Sequence, residues 1–312
     1  MWPFDRGGLL LALYIATLAL HAVFIGYVVA GTAFALVRRQ DPIAATVRDR
    51  LPFMLGCGIT AGVAPLLFLQ LLHQKRFYTA NLLLGPRWMA VVPALVVGFY
   101  ALYAAKSLER YRQRALGIAL VCFTFVAWSW SELHELMKAD VAWQSFYAEG
   151  DRLYVAGTIL PRLVVFGGAM ATTFALIAAW SADAAGRKRL AVLGLCSRVV
   201  SIGGAIWLWQ AGFDPHGPAR AWAFVLIAAT VVDLAAWALL LRAPSDALLG
   251  LATASGAGAI VAASIVREAP RVALIEPTHP MAVSAGGSLV FAVAFLIGIA
   301  AIAWVVRTVR AG

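Results

Sequence analysis

Apolar positions gather into nine long runs, each closed by a short polar or basic stretch. The runs cover residues 9–37, 51–73, 88–105, 115–130, 159–180, 190–209, 221–241, 247–266 and 283–306. A helix needs roughly 20 apolar residues to cross the hydrocarbon core of a bilayer. The pattern therefore predicts an all-α, polytopic integral membrane protein with nine transmembrane helices in a single domain, residues 1–312. The first run is too long for the apolar stretch of a signal peptide and lacks a basic leader, so it is expected to span.

The stretch from 53 to 88 shows the pattern most clearly. It opens as an apolar helix with Gly58 and Gly62 on one stripe and Pro65 deep inside. It then meets a polar knot, Gln70, His73, Gln74, Lys75, Arg76, Tyr78 and Asn81, before the apolar run resumes after Gly85-Pro86. That is the look of one helix leaving the bilayer and the next returning.

Composition agrees with the pattern. The chain is 62% hydrophobic and 13% charged, against about a quarter charged in a soluble domain. The net charge of +10 does not point to nucleic acid, because the basic residues sit in short clusters between the apolar runs. With the N-terminus outside, the inner segments hold 14 Lys/Arg and 5 Asp/Glu, and the outer segments 10 and 9. Positive charge favours the cytoplasmic side, so the N-terminus is expected outside and the C-terminus in the cytoplasm. Cys57, Cys122 and Cys196 each fall within an apolar run, where a thiol packs as a small apolar group. There is no CxxCH for covalent haem and no glycine-rich nucleotide loop.

Few residues carry chemistry. His21 lies 12 residues into the first run, about 18 Å along a helix. At that depth it either ligates a haem or bonds to a neighbouring helix. The knot at 70–81 is either a headgroup-level anchor or the rim of a site for a quinone or an anionic partner. The outer segment 132–158 carries Glu132, Glu135, Asp140 and Glu149. Its Leu133, Leu136 and Met137 predict a short amphipathic helix lying on the membrane. The carboxylates then form either a solvated cap or a docking face for a periplasmic partner. His134 between two glutamates does not make a zinc motif. Residues 267–279, with Arg267, Glu268, Arg271, Glu276 and His279, read as an outer turn. Arg198 and Asp233 each lie eight residues from the inner end of their runs, about 12 Å deep. An isolated charge there is costly, so the two are expected to pair.

Four of these stretches, in order, resemble the cytochrome bd quinol oxidase subunit I family. They are LHAVFIGYVVAG around His21; LGCGITAGVAPLLFLQLLHQKRFYTANLLLGPRWMAV; WSWSELHELM; and LPRLVVFGGAMATTFAL. The likeness covers about residues 10–182, helices 1–5 with the outer segment, and leaves 183–312 as helices 6–9. It implies a place in the bacterial inner membrane and, at His21, a haem-ligating position. His21 alone carries over from the family; the quinone rim read from the polar knot itself would be formed by Gln70, His73, Arg76 and Tyr78. The departures are specific. Residues 163–168 lack the histidine that the family uses on helix 5, residues 88–105 lack its membrane carboxylates, and residues 210–220 replace its long quinol loop with a short turn.

The resemblance therefore implies a relative that does not reduce oxygen. It would serve as a membrane subunit of a respiratory or electron-transfer complex, holding one b-type haem or a quinone, beside other subunits and periplasmic cytochromes. Whether it is a quinol-linked or a non-catalytic subunit stays open. A transporter or channel would need a polar path, and Arg198 and Asp233 are the one ionised pair in mid-run. A scaffold without chemistry is the remaining alternative.

Overall fold

The computed structural model describes residues 6–150 and 153–275, with isolated helical positions between 293 and 307. The ninth apolar run, 283–306, and the turn residues Glu276 and His279 thus fall largely outside the described residues. Contacts divide the chain into two units, residues 1–276 and 277–312; the first is the helical bundle described below.

Eleven α-helices make up this unit, and no strand occurs among the described residues. They are α1 (Arg6–Val37), α2 (Pro42–Leu72), α3 (Gln74–Leu84), α4 (Pro86–Met89), α5 (Val91–Ser107), α6 (Arg112–Leu136), α7 (Trp143–Ala148), α8 (Ile159–Ala179), α9 (Ala184–Gln210), α10 (Pro218–Arg242) and α11 (Asp246–Val272). Among the described residues, eight segments are long and apolar enough to cross a membrane: α1, α2, α4 with α5, α6, α8, α9, α10 and α11. The protein is a multi-pass helical membrane protein with lipid around its apolar faces.

Local chemistry sets the helix ends. Asp41, Asp183 and Ser245 cap α2, α9 and α11, their side chains accepting from the backbone N–H of Ile43, Gly186 and Leu248 at 3.0, 2.7 and 3.3 Å. Gly85 and Gly217 stand before Pro86 and Pro218 with φ of 55° and 57°. Glycine supplies the left-handed turn and proline the fixed φ of the first helical residue.

Consecutive spans pack as antiparallel hairpins: α1 with α2, α5 with α6, α8 with α9, and α10 with α11. Helix α1 also touches α6, α8 and α11. Lipid tails are as apolar as leucine, so close backbone approach must do much of the work of association. A Cβ on Gly168 of α8 would come within 2.6 Å of the Ser197 carbonyl oxygen and the Ser201 nitrogen on α9. One on Gly204 would come within 2.8 Å of the Val165 nitrogen. Gly194 of α9 likewise leaves room for the fully buried indole of Trp237 on α10.

Two apolar cores lie along the bundle. One is built around Tyr27, Leu51, Leu102, Phe174 and Trp237. The other is built around Tyr14, Leu72, Phe77, Leu133 and Phe146. The second sits at the end where α1 begins and α2, α6 and α11 finish, called the starting end here.

The helices overrun their apolar runs. Helix α2 begins at Pro42 rather than 51, α6 continues to Leu136 rather than 130, and α11 to Val272 rather than 266. The amphipathic surface helix expected from Leu133 onward is instead the last turn of α6, and the expected turn at 267–271 is the last turn of α11. In both places charged residues that read as water-facing are buried and paired inside the bundle.

Candidate functional site

The starting end of the bundle holds a dense group of buried ionisable side chains. Glu268 and Arg271 sit one helical turn apart on α11, where spacing of three residues puts them on one face. Arg271 donates from Nε to Glu268 Oε2 at 2.9 Å, and a second guanidinium nitrogen reaches the same oxygen. The Tyr14 hydroxyl on α1 donates to Glu268 Oε1 at 3.0 Å and accepts from Arg271 at 2.9 Å. The three groups close a triangle, and Arg271 also reaches the sulfur of Met137 at 3.5 Å. Glu268 and Arg271 are each 2% exposed, so the pairing removes what would otherwise be two bare charges in a dry site.

A second group surrounds the end of α6. Glu135 is bound by Arg162 from α8 and by Lys138 at 2.8 Å. Glu132, with no exposed surface, meets Arg87 at the start of α4. Burial pushes the Lys138 ammonium down from its usual range, and the charge of Glu135 opposes that shift. Between the two groups lies His134, 1% exposed, with neither ring nitrogen hydrogen-bonded. Arg162, Arg271, Arg267 and Lys138 are all close enough to act on it electrostatically.

His73 follows α2 into the same region. Its imidazole is 3% exposed and is pushed down to about 4, first by burial and then by the charge of Arg271, against the opposing charge of Glu268. From α3, Arg76 donates to the Met137 carbonyl at 3.1 Å and to Asp140 at 2.9 Å, with its guanidinium 5.8 Å from the Trp143 ring centroid. The Arg76 hydrogen bond and charge hold the Asp140 carboxyl below its usual value. Trp88 and Trp130 meet edge to face at 4.9 Å beside Phe77.

The structure thus joins His73 and Arg76 to the cluster and leaves Tyr78 and Gln70 on its exposed side, 3.5 Å apart. It corrects the reading of the acidic segment. Glu132 and Glu135 are buried ion-pair partners and offer no face for docking, because arginines from α4 and α8 reach them inside the bundle. Asp140 is exposed but engaged by Arg76, and Glu149 is exposed. The sequence reading passed over Tyr14, gave His134 no role and placed Glu268 with Arg271 in a turn. The available signal was the i, i+3 spacing of Glu132 with Glu135 and of Glu268 with Arg271, which continues the helix face past the last apolar residue.

His21 lies apart from this group, in the contact between α1 and α2. Its Nδ1 is 2.8 Å from the Gly58 carbonyl oxygen. A carbonyl only accepts, so Nδ1 carries the proton and Nε2 keeps its lone pair. Gly62 makes the room: a Cβ there would lie 2.8 Å from two ring atoms. A haem-ligating histidine commonly has its second nitrogen tied to a backbone carbonyl in this way, so in tautomer and anchoring His21 fits such a ligand. His73 stands on the same chain segment eleven residues beyond Gly62, about 16 Å along the helix. Among the described residues, no group of three His, Cys, Asp or Glu side chains could hold a bare metal ion.

Arg198 and Asp233 form a separate buried pair between α9 and α10, with Trp237 and Ser255 beside the carboxylate. Compared with known families and with curated proteins, the chain matches no family model and no curated protein.

Proposed function

We propose that this protein is a membrane-embedded subunit of an electron-transfer complex and that the buried cluster at its starting end receives a quinone headgroup. The carrying observation is His134: a fully buried imidazole with both nitrogens free of hydrogen bonds, set among the cations Arg162, Arg271, Arg267 and Lys138. An unsatisfied buried polar group is costly, and a ligand carbonyl is the kind of acceptor that would satisfy a ring N–H. A quinone supplies two carbonyl oxygens and carries electrons together with protons. The chain contributes His134 as donor, the Glu268–Arg271–Tyr14 triangle as a fixed electrostatic wall, and His73 as a neutral base near the rim. The resemblance of residues 10–182 to the cytochrome bd subunit supports the same reading.

The nine-helix topology belongs to this proposal, with the N-terminus outside and the C-terminus cytoplasmic in a bacterial inner membrane. The starting end is then periplasmic, and Asp140 and Glu149 remain as the acidic groups a periplasmic cytochrome could meet. A second reading, one b-type haem at His21, is favoured by the Nδ1–Gly58 bond, which leaves the Nε2 lone pair as the group that would bind the iron.

Tryptophan fluorescence tests the quinone site, because Trp88, Trp130 and Trp143 pack against the core at this end. A short-chain quinone titrated into purified protein should quench saturably. His134→Leu should abolish the saturable part while helix content by circular dichroism stays unchanged. Equal affinity in the variant, or no saturable quench in the wild type, would contradict the assignment.

A further inference from the structure

At the opposite end of the bundle, a cavity of about 180 Å³ opens between the end of α1, the first turns of α2 and the start of α6. Three arginines line it, Arg39, Arg48 and Arg112, against one carboxylate, Glu109. Glu109 accepts from Arg112 Nη1 at 3.2 Å, which occupies one edge of that guanidinium only. The Nε of Arg112 is buried and makes no hydrogen bond, and the Nε of Arg48, also buried, has only the Asp49 carboxylate at 3.5 Å beside it. Ala44 and Leu116 contribute apolar wall.

We infer that this cavity binds the phosphate of an anionic ligand. Three guanidinium groups against Glu109 in the lining and Asp49 beside Arg48 still leave an excess of positive charge. Guanidinium is the group best matched to phosphate oxygens, because its donors are planar and paired. The space would hold about six waters at roughly 30 Å³ each, enough for a phosphate group with part of its ester chain. The cavity sits where three spanning segments meet the polar boundary, the depth of lipid headgroups. Basic pockets between spanning helices are sites for anionic lipid headgroups. Free phosphate offers the same chemistry, and the two sources separate by experiment. The inference does not depend on the quinone reading, since the two sites lie at opposite ends of the bundle.

The test uses the full chain purified in a zwitterionic detergent and measures thermal unfolding during titration with phosphatidylglycerol, phosphatidylcholine or inorganic phosphate. Phosphatidylglycerol should raise the midpoint saturably and phosphatidylcholine should not. Arg48→Gln and Arg112→Gln should each weaken the apparent affinity about fivefold, the effect of one arginine near an anionic headgroup. Glu109→Gln removes the competing carboxylate and should tighten binding, which keeps the test decisive if the arginine variants fold poorly. Saturable stabilisation by inorganic phosphate, sensitive to the same substitutions, supports the phosphate site with a free anion as its source. Stabilisation by neither ligand, or stabilisation indifferent to all three substitutions, overturns the inference.

Discussion

Arg198 Nε on α9 lies 2.7 Å from Asp233 Oδ2 on α10, and both side chains are buried. Gly194, one turn earlier, lets the Trp237 indole lie against α9, so the pair is held by packing on the same contact. Removing one partner leaves a lone buried charge, which costs about 3–5 kcal/mol; removing both in favour of apolar groups is often neutral. Arg198→Leu and Asp233→Leu are each expected to lower folded yield in detergent sharply, and the double variant to recover most of it. Losses in the double variant that equal the two single losses added together would show that the residues are not coupled.

The α8–α9 contact makes a cleaner prediction, because adjacent glycines serve as controls. Gly168→Ala and Gly204→Ala would each place a methyl group within 2.8 Å of backbone on the partner helix. Gly167→Ala and Gly203→Ala meet nothing within 4 Å, and glycine-to-alanine exchange in a helix interior gains roughly 0.5–1 kcal/mol. Thermal unfolding should therefore show the first two destabilised and the second two unchanged or slightly more stable. Equal behaviour of all four would refute the close packing.

His73 makes folding sensitive to acid. Its folded value is about 4, against about 6.5 in an unfolded chain. The unfolded state therefore binds the extra proton between those values, so stability is full above about pH 6.5 and declines as pH falls toward 4. The difference corresponds to about 3 kcal/mol. Unfolding midpoints measured across pH 4–7 should have a shallower slope in His73→Leu than in the wild type, by up to about one proton per molecule. Identical slopes would remove His73 from the buried cluster.

Orientation is checked by reporter fusions. A reporter inserted at Gly150 is expected to read periplasmic, and one inserted in the 243–245 loop cytoplasmic. The reverse pair of readings would invert the bundle and move the charged cluster to the cytoplasmic face.

The spanning segments were legible because long apolar runs have few alternatives in water or lipid. The Arg198–Asp233 contact was legible too, because two opposite charges at equal depth on consecutive helices have few ways to avoid exposure to lipid. The buried cluster was not legible, for a physical reason. Glu132, Glu135, Glu268 and Arg271 lie at helix ends, where an unpaired charge is solvated and a paired one is buried. For Glu132 and Glu135 the outcome depends on Arg87 and Arg162 from other helices, whose approach no local pattern encodes; for Glu268 and Arg271 it depends on α11 continuing past its last apolar residue, so that they pair with each other and with Tyr14. His134 was hidden by the same fact, since a histidine between two glutamates reads as surface until both glutamates turn inward. Tyr14 carries no signal of its own, because its hydroxyl matters only through Glu268 and Arg271 on a helix more than 250 residues away in sequence.

The most direct test of the electron-transfer assignment is a reduced-minus-oxidised visible spectrum of the purified protein, expressed with haem supply, together with solvent extraction and quantification of bound quinone. The account predicts stoichiometric quinone, and a b-type band, where present, that is lost in His21→Ala at unchanged protein yield. A colourless protein that carries no quinone and takes up none from the membrane would contradict it and leave the buried charges as a structural clamp.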